Sequence, residues 1–168
     1  MKIKNVIEVN DKLTTVLLEG TGTWLSILKP KTKYDGEGTE YSANIDATDS
    51  DVEELNTRTG LTRELKYPKS GEGSGFLTFK ANGEFADGNP TPPISVFDSN
   101  MQPVTEEVGN GSKVRLQVNI TPYTFKKKTG LSARLVAVQV LEHIPFARRG
   151  VNLDLFDSIE SEQPKVLR

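Results

Sequence analysis

The sequence contains no cysteine and only one histidine, His143. The missing thiols exclude disulfides, zinc–thiolate sites and thiol nucleophiles. No Ser or Asp is spaced to serve His143 in a catalytic relay, and a lone histidine near the end of a strand-like run reads as structural or locally bonded. Gly71-Glu-Gly-Ser-Gly75 lacks the Gly-Lys-Ser/Thr ending of a phosphate loop and opens no helix, so it reads as a connector. The acidic stretch 46–54 lacks the Asp-x-Asp-x-Asp-Gly spacing of a calcium loop. No catalytic, metal or cofactor constellation assembles from these parts, and a non-enzyme without cofactor is expected. Apolar runs are too short to span a membrane. Met1–Asn10 alternates charge with Ile and Val instead of forming an apolar leader core, so a cytoplasmic protein is expected.

What is present is charge, unevenly placed. The chain of 168 residues carries 21 basic and 23 acidic side chains, net −2. The segment from Val151 holds four acids (Asp154, Asp157, Glu160, Glu162) against Lys165 and Arg168, leaving 19 of each sign in residues 1–150. Within that neutral part the acids gather at 46–54 and the bases at Lys29–Lys33 and Lys126–Lys128. A neutral domain with segregated charge can bind a polyanion.

Apolar alternation with period two dominates, which predicts strands at 2–9, 12–18, 23–29, 39–47, 75–82, 94–97, 113–125 and 131–142. Turn chemistry separates them, including Gly20-Thr-Gly22 and a lysine-rich loop with Thr129-Gly130 after Phe125. One helix is predicted over 51–61, with Ser50 and Glu53 as a capping box and the neighbouring acids favoured by the helix dipole. From Phe146 onward alternation is lost. The expected architecture is all-β: a five-stranded OB-fold-like antiparallel barrel, residues 1–146, with an additional N-terminal hairpin over 1–20 and one short helix. Residues 147–168 are expected to form a flexible, mildly acidic tail. Eight strand candidates also suit a two-sheet β-sandwich, which stays open on pattern alone.

Parity places the aromatics. Val114, Leu116, Val118 and Ile120 form one face of their strand; Arg115, Gln117, Tyr123 and Phe125 fall on the other. Pro122 threatens that reading, because a bulge there would shift the parity. In 76–82 the inward set is Leu77, Phe79 and Ala81, leaving Phe76 and Lys80 outward. Tyr41 shares parity with Ala43 and Ile45 and is expected in the core, whereas Trp24 lies in a run apolar on both faces and stays open. Rings among cations on one face suit single-stranded nucleic acid, whose bases stack while lysines neutralise phosphates. The competing reading is that the rings cap a barrel end and Lys126, Lys127 and Lys128 solvate a hairpin tip.

Residues 109–146, GNGSKVRLQVNITPYTFKKKTGLSARLVAVQVLEHIPF, resemble the closing strands of the single-stranded DNA-binding proteins of T-seven-type bacteriophages. The shared pattern is Gly-x-Gly-Ser-Lys, a strand ending Pro-Tyr-x-aromatic, a short loop with Gly and a return strand closing on Phe. FKANGEF (79–85), PISVFDSNMQPV (93–104) and WLSILKPKTKY (24–34) follow in the same order of elements. The resemblance implies an OB-fold that coats single-stranded DNA in phage replication, recombination and repair, inside the infected bacterial host. It implies a stacking role for Tyr123 and DNA contact by Lys80, with Lys29 in the Lys-Pro after the first barrel strand. Together with the charge and parity arguments, the expected DNA-binding set is Tyr123, Phe125, Lys80, Arg115, Lys126, Lys127, Lys128, Lys29, Lys31, Lys33, Tyr34 and Phe76. Expected partners are single-stranded DNA and, through the resemblance, the phage DNA polymerase and primase-helicase; a homodimer is the assembly to test. The family's long acidic tail has no close counterpart in ARRGVNLDLFDSIESEQPKVLR. An RNA-binding OB module, and a phage structural or adaptor protein with a β-sandwich fold and no nucleic-acid role, are the other readings.

Overall fold

The computed structural model describes residues 1–146 and Leu155; the expected tail otherwise lies outside the described residues. Seven strands and one helix follow in the order β1 (Lys2–Asn10), β2 (Leu13–Thr32), β3 (Thr39–Asp46), α1 (Asp49–Thr59), β4 (Phe76–Asn82), β5 (Ser95–Asp98), β6 (Lys113–Phe125) and β7 (Lys128–Glu142). Five of them close on themselves: β2 pairs β3, β3 pairs β4, β4 meets β7, β7 pairs β6, and β6 returns to β2. This is an OB-like barrel, and its closure removes the two-sheet sandwich. One contact is parallel, the Lys80↔Arg134 pair that joins β4 to β7.

Gly20-Thr-Gly22 is not a turn. The two strands expected on either side of it are one strand of 20 residues. Up to Thr21 this strand pairs β6, and β1 lies on its other edge; from Gly22 it pairs β3. The glycines serve the change of neighbour. A Cβ on Gly20 would lie 3.0 Å from Ile45 Cγ1, and one on Gly22 would lie 3.1 Å from Leu25. The element added at the N-terminus is therefore β1 alone, since the other arm of its hairpin is barrel wall. A second extra strand, β5, lies parallel on β7.

Inward alternation fills the barrel with Val16, Leu18, Ile27, Ala43, Ile45, Leu77, Phe79, Leu116, Val118 and Leu135, each at most 1% exposed. Tyr41 is buried with them, as its parity predicts. The helix starts two residues earlier than expected, because Thr48 and Asp51, not Ser50 and Glu53, form the capping box. Thr48 Oγ1 accepts from the Asp51 amide at 3.2 Å, and Asp51 Oδ2 accepts from the Thr48 amide at 2.8 Å. The Met1 ammonium also reaches Asp51, at 3.3 Å, and so ties β1 to the helix. Burial works against ionisation of this carboxyl, but the Thr48 bonds and the ammonium prevail and hold it below its ordinary value. Val52 and Leu55 turn the helix onto the core. The chain after the helix pairs Lys66 with Phe76, and Arg63 Nη1 donates to the Thr78 carbonyl at 3.3 Å. That segment supplies backbone partners to the part of β4 that β7 does not reach.

Candidate nucleic-acid interface

The pairing of β6 with β7 runs without a shift from Val118 to Phe125, through Pro122↔Leu131. Proline introduces no bulge, so parity carries from Gln117 to Tyr123 and Phe125, which are 49% and 65% exposed. The turn lies earlier than the glycine suggests. Phe125 pairs Lys128, leaving Lys126 and Lys127 as a two-residue turn with φ of +47° and +66°. Positive φ at both positions is the geometry of a type I′ hairpin, normally filled by Asn-Gly. Holding lysines there costs about 1–2 kcal/mol per residue.

Gly130 is not a turn residue but the strand partner of Tyr123. A Cβ on it would fall 2.7 Å from Tyr123 Oη and 2.9 Å from two ring carbons, so the phenol lies across the bare glycine. Two residues on, Ser132 pairs Thr121, and Arg134 pairs Asn119 on one side and Lys80 on the other. The outward row Phe125, Tyr123, Ser132, Arg134, Lys80 thus crosses three strands without a break.

The row runs into a cleft of about 730 Å³ between the β2–β3 connection and β7, with Lys33, Tyr34, Lys80, Phe85 and Arg134 among its walls. Tyr34 is fully exposed at the connection. Asp35, Glu40 and Glu84 also line the cleft, so its three cations face three acids. Lys80 Nζ lies 3.4 Å from Glu40 Oε2, whose side chain is buried. The cleft is therefore neutral, and surplus positive charge comes from the hairpin tip. There Lys126 Nζ lies 5.4 Å from the Phe125 ring centroid, and among the described residues Lys126, Lys127 and Lys128 form no ion pair.

Three groups of expected residues lie elsewhere. Arg115 shares the outward face of β6, but eight residues from Tyr123 it lies about 26 Å along the strand. Its Nε donates to Glu19 Oε1 at 2.8 Å, across the Glu19↔Arg115 pair. That bond holds the Glu19 carboxyl below its ordinary value and commits the guanidinium to the barrel wall. Phe76 begins β4 about 13 Å from Lys80 and is half-buried beside Trp24. Lys29 and Lys31 are exposed on the second half of β2 and line a pocket that also contains Trp24.

Arg134 was absent from the expected set. Its face follows only from the register across the Lys126–Lys127 turn, which the glycine disguises. Trp24 resolves to the surface, 69% exposed. His143 Nε2 lies 3.0 Å from the Glu107 carbonyl, an exposed contact between segments 36 residues apart. Among the described residues no helix is long and apolar enough to cross a membrane.

No protein-family model and no curated protein sequence matches the chain. Solved structures do. The single-stranded DNA-binding protein from bacteriophage Enc34 superposes with a TM-score of 0.55 at 14% identity, covering 92% of this chain and 94% of its own. The same protein in complex with single-stranded DNA gives 0.54 at 13%, covering 88% and 96%. The gp2.5 single-stranded DNA-binding protein encoded by bacteriophage T7 gives 0.49 at 19%, covering 94% and 98%. At these identities the likeness is one of fold. The Enc34 likeness is to a single-stranded DNA-binding protein of a bacteriophage, the kind of protein that residues 109–146 resemble.

Proposed function

We propose that this protein binds single-stranded DNA without sequence preference, stacking bases on Tyr123 and Phe125 while Lys126, Lys127 and Lys128 neutralise phosphates. The observation that carries the reading is the unbroken outward row from Phe125 through Tyr123 and Arg134 to Lys80, opening into a cleft walled by Tyr34 and Phe85. Unpaired bases offer the flat apolar faces that such rings take up, at about 1–3 kcal/mol per base; a duplex hides those faces. The fold likeness to a protein solved with single-stranded DNA supports the same ligand.

The neutrality of the cleft divides the work. Lys33, Lys80 and Arg134 are balanced by acids, so they orient the backbone more than they attract it, and the hairpin tip supplies the long-range pull. Base edges need no reading in such a site, and sequence independence follows. The wider role is protection of exposed strands in phage replication, recombination and repair in the host cytoplasm, alongside the phage polymerase and primase-helicase, by a chain of one DNA-binding domain (1–146) and a C-terminal tail. A homodimer is part of the same proposal. No group in this reading performs bond chemistry.

A salt series tests it. Affinity for labelled poly-dT should fall linearly on a log–log plot, with a slope of about −0.7 per phosphate neutralised. Replacing Lys126, Lys127 and Lys128 together by alanine should reduce the slope by about 2 in magnitude. A parent slope in the triple variant would assign those lysines to solvation of the tip. Absent or salt-independent binding would refute the proposal and favour the adaptor reading.

A further inference from the structure

Trp24 is the sole tryptophan of the chain, and it stands 69% exposed with φ of +47°. A bulky residue in the left-handed region is a genuine outlier. Its amide donates to Asn110 Oδ1 at 2.7 Å, a bond that fixes the strained backbone where β2 changes partners. The ring fills no core. Strained backbone of this kind clusters at ligand-binding and active sites, which directs attention to what the exposed ring faces.

What surrounds the ring indicates what that is. On one side lies a trough of about 1050 Å³ with Lys66, Tyr67, Lys69 and Phe76 in its walls. Tyr67 is 64% exposed. On the other side lies a smaller pocket, about 350 Å³, with Lys29 and Lys31. Asp46 is the acid of the trough and Glu107 that of the pocket, so four lysines face two carboxylates. Burial pushes the Asp46 carboxyl up, which further weakens its claim on the cations. The surface around Trp24 is thus net positive, whereas the cleft beside Tyr34 is neutral.

We infer that Trp24 and Tyr67 form a second stacking station for single-stranded DNA, with Lys66 and Lys69 on the phosphates of one flank and Lys29 and Lys31 on those of the other. The inference rests on the proposed function and extends it along β2. Between Thr23↔Asn44 and Thr32↔Thr39 the bulged β2 advances along only five residues of β3, about 17 Å, so a strand bound at the Tyr123 cleft can continue past Lys31 and Lys29 to the indole. Two exposed rings flanked by paired lysines repeat the stacking-plus-neutralisation logic of the hairpin. This also accounts for two residues that the cleft leaves out, Lys29 and Lys31.

The single tryptophan makes the test direct, because indole emission reports on this site alone. Titration of the full chain with a long dT oligomer should quench that emission in step with binding of the labelled oligomer. Trp24→Gly, which suits the left-handed backbone, should weaken the long oligomer by about 5- to 150-fold while leaving the melting temperature unchanged or higher. Tyr67→Ala should weaken it in the same direction and keep the quench. Binding at parent affinity in Trp24→Gly, or emission indifferent to bound DNA, would overturn the inference and give the trough to a protein partner. The two readings fail separately: a wild-type chain that binds dT, loses affinity in Tyr123→Ala and ignores Trp24→Gly refutes only this station. A wild-type chain that binds no dT refutes both.

Discussion

Replacing Gly130 by alanine should impair DNA binding without touching any proposed contact residue. The added Cβ would lie 2.7 Å from Tyr123 Oη, about 0.7 Å short of the 3.4 Å at which ordinary contact begins. The neighbouring backbone on both strands is fixed by the β6–β7 ladder, so the phenol must swing away from its present position. The substitution is otherwise mild: Gly130 does not have a positive φ, and alanine in a strand is favoured over glycine by about 0.5–1 kcal/mol. If Tyr123 stacks a base from where it now lies, the loss is up to the full stacking value, about 1–3 kcal/mol, or 5- to 150-fold in Kd. Anisotropy of a labelled dT oligomer measures this, with a thermal melt to establish folding. The decisive arm is a double-mutant cycle. In a Tyr123→Ala background the added methyl meets no ring, so Gly130→Ala should then cost nothing further in binding. Wild-type affinity in Gly130→Ala, or simple additivity in the double variant, would refute the argument that this glycine exists to seat the ring.

Other outcomes follow from the same geometry. Lys127→Gly removes a left-handed lysine and should raise stability by about 1 kcal/mol, or 2–4 °C in melting temperature, while reducing the salt slope by about 0.7. A variant with higher stability and an unchanged slope would separate the strain from DNA binding. Glu19 has its pKa lowered on folding, so its contribution to stability is present above the ordinary 4.5 and fades as pH falls through the lower folded value. Glu19→Gln should therefore flatten the acid side of the stability curve below about pH 4.5, in urea unfolding repeated across pH. DNA affinity should not change, since Arg115 faces Glu19 and not the cleft. Thr48→Ala removes the helix cap and should cost about 1 kcal/mol, read in the same unfolding assay.

Much of this was legible in the sequence because alternation is a strong signal where strands are regular. Tyr123, Phe125 and Lys80 are outward for the reason their parity gives, and Tyr41 is inward for the same reason. Parity assigns a face but not a distance, which is why Arg115 was grouped with rings about 26 Å away. Glycine misled twice. Gly20 and Gly22 have the composition of a turn but exist for close approach inside a continuous strand, and Gly130 has a turn's chemistry but makes room for a phenol. The true turn holds two lysines in a conformation that local propensity disfavours, so nothing in their composition announced it. Trp24 was unreadable because a left-handed residue interrupts the alternation on which its placement depended. Arg134 depends on the turn's position and was lost with it.

The central claim is that the exposed rings take bases that only an unpaired strand can offer. The most direct measurement is a paired titration of the wild-type chain with a labelled dT oligomer and with a duplex of equal length, at one moderate salt concentration. Tight binding to the single strand, with the duplex weaker by at least the stacking contribution of one base, about 5-fold or more, is the predicted result. Equal affinity for both forms would mean that phosphates alone are recognised, and would contradict the account.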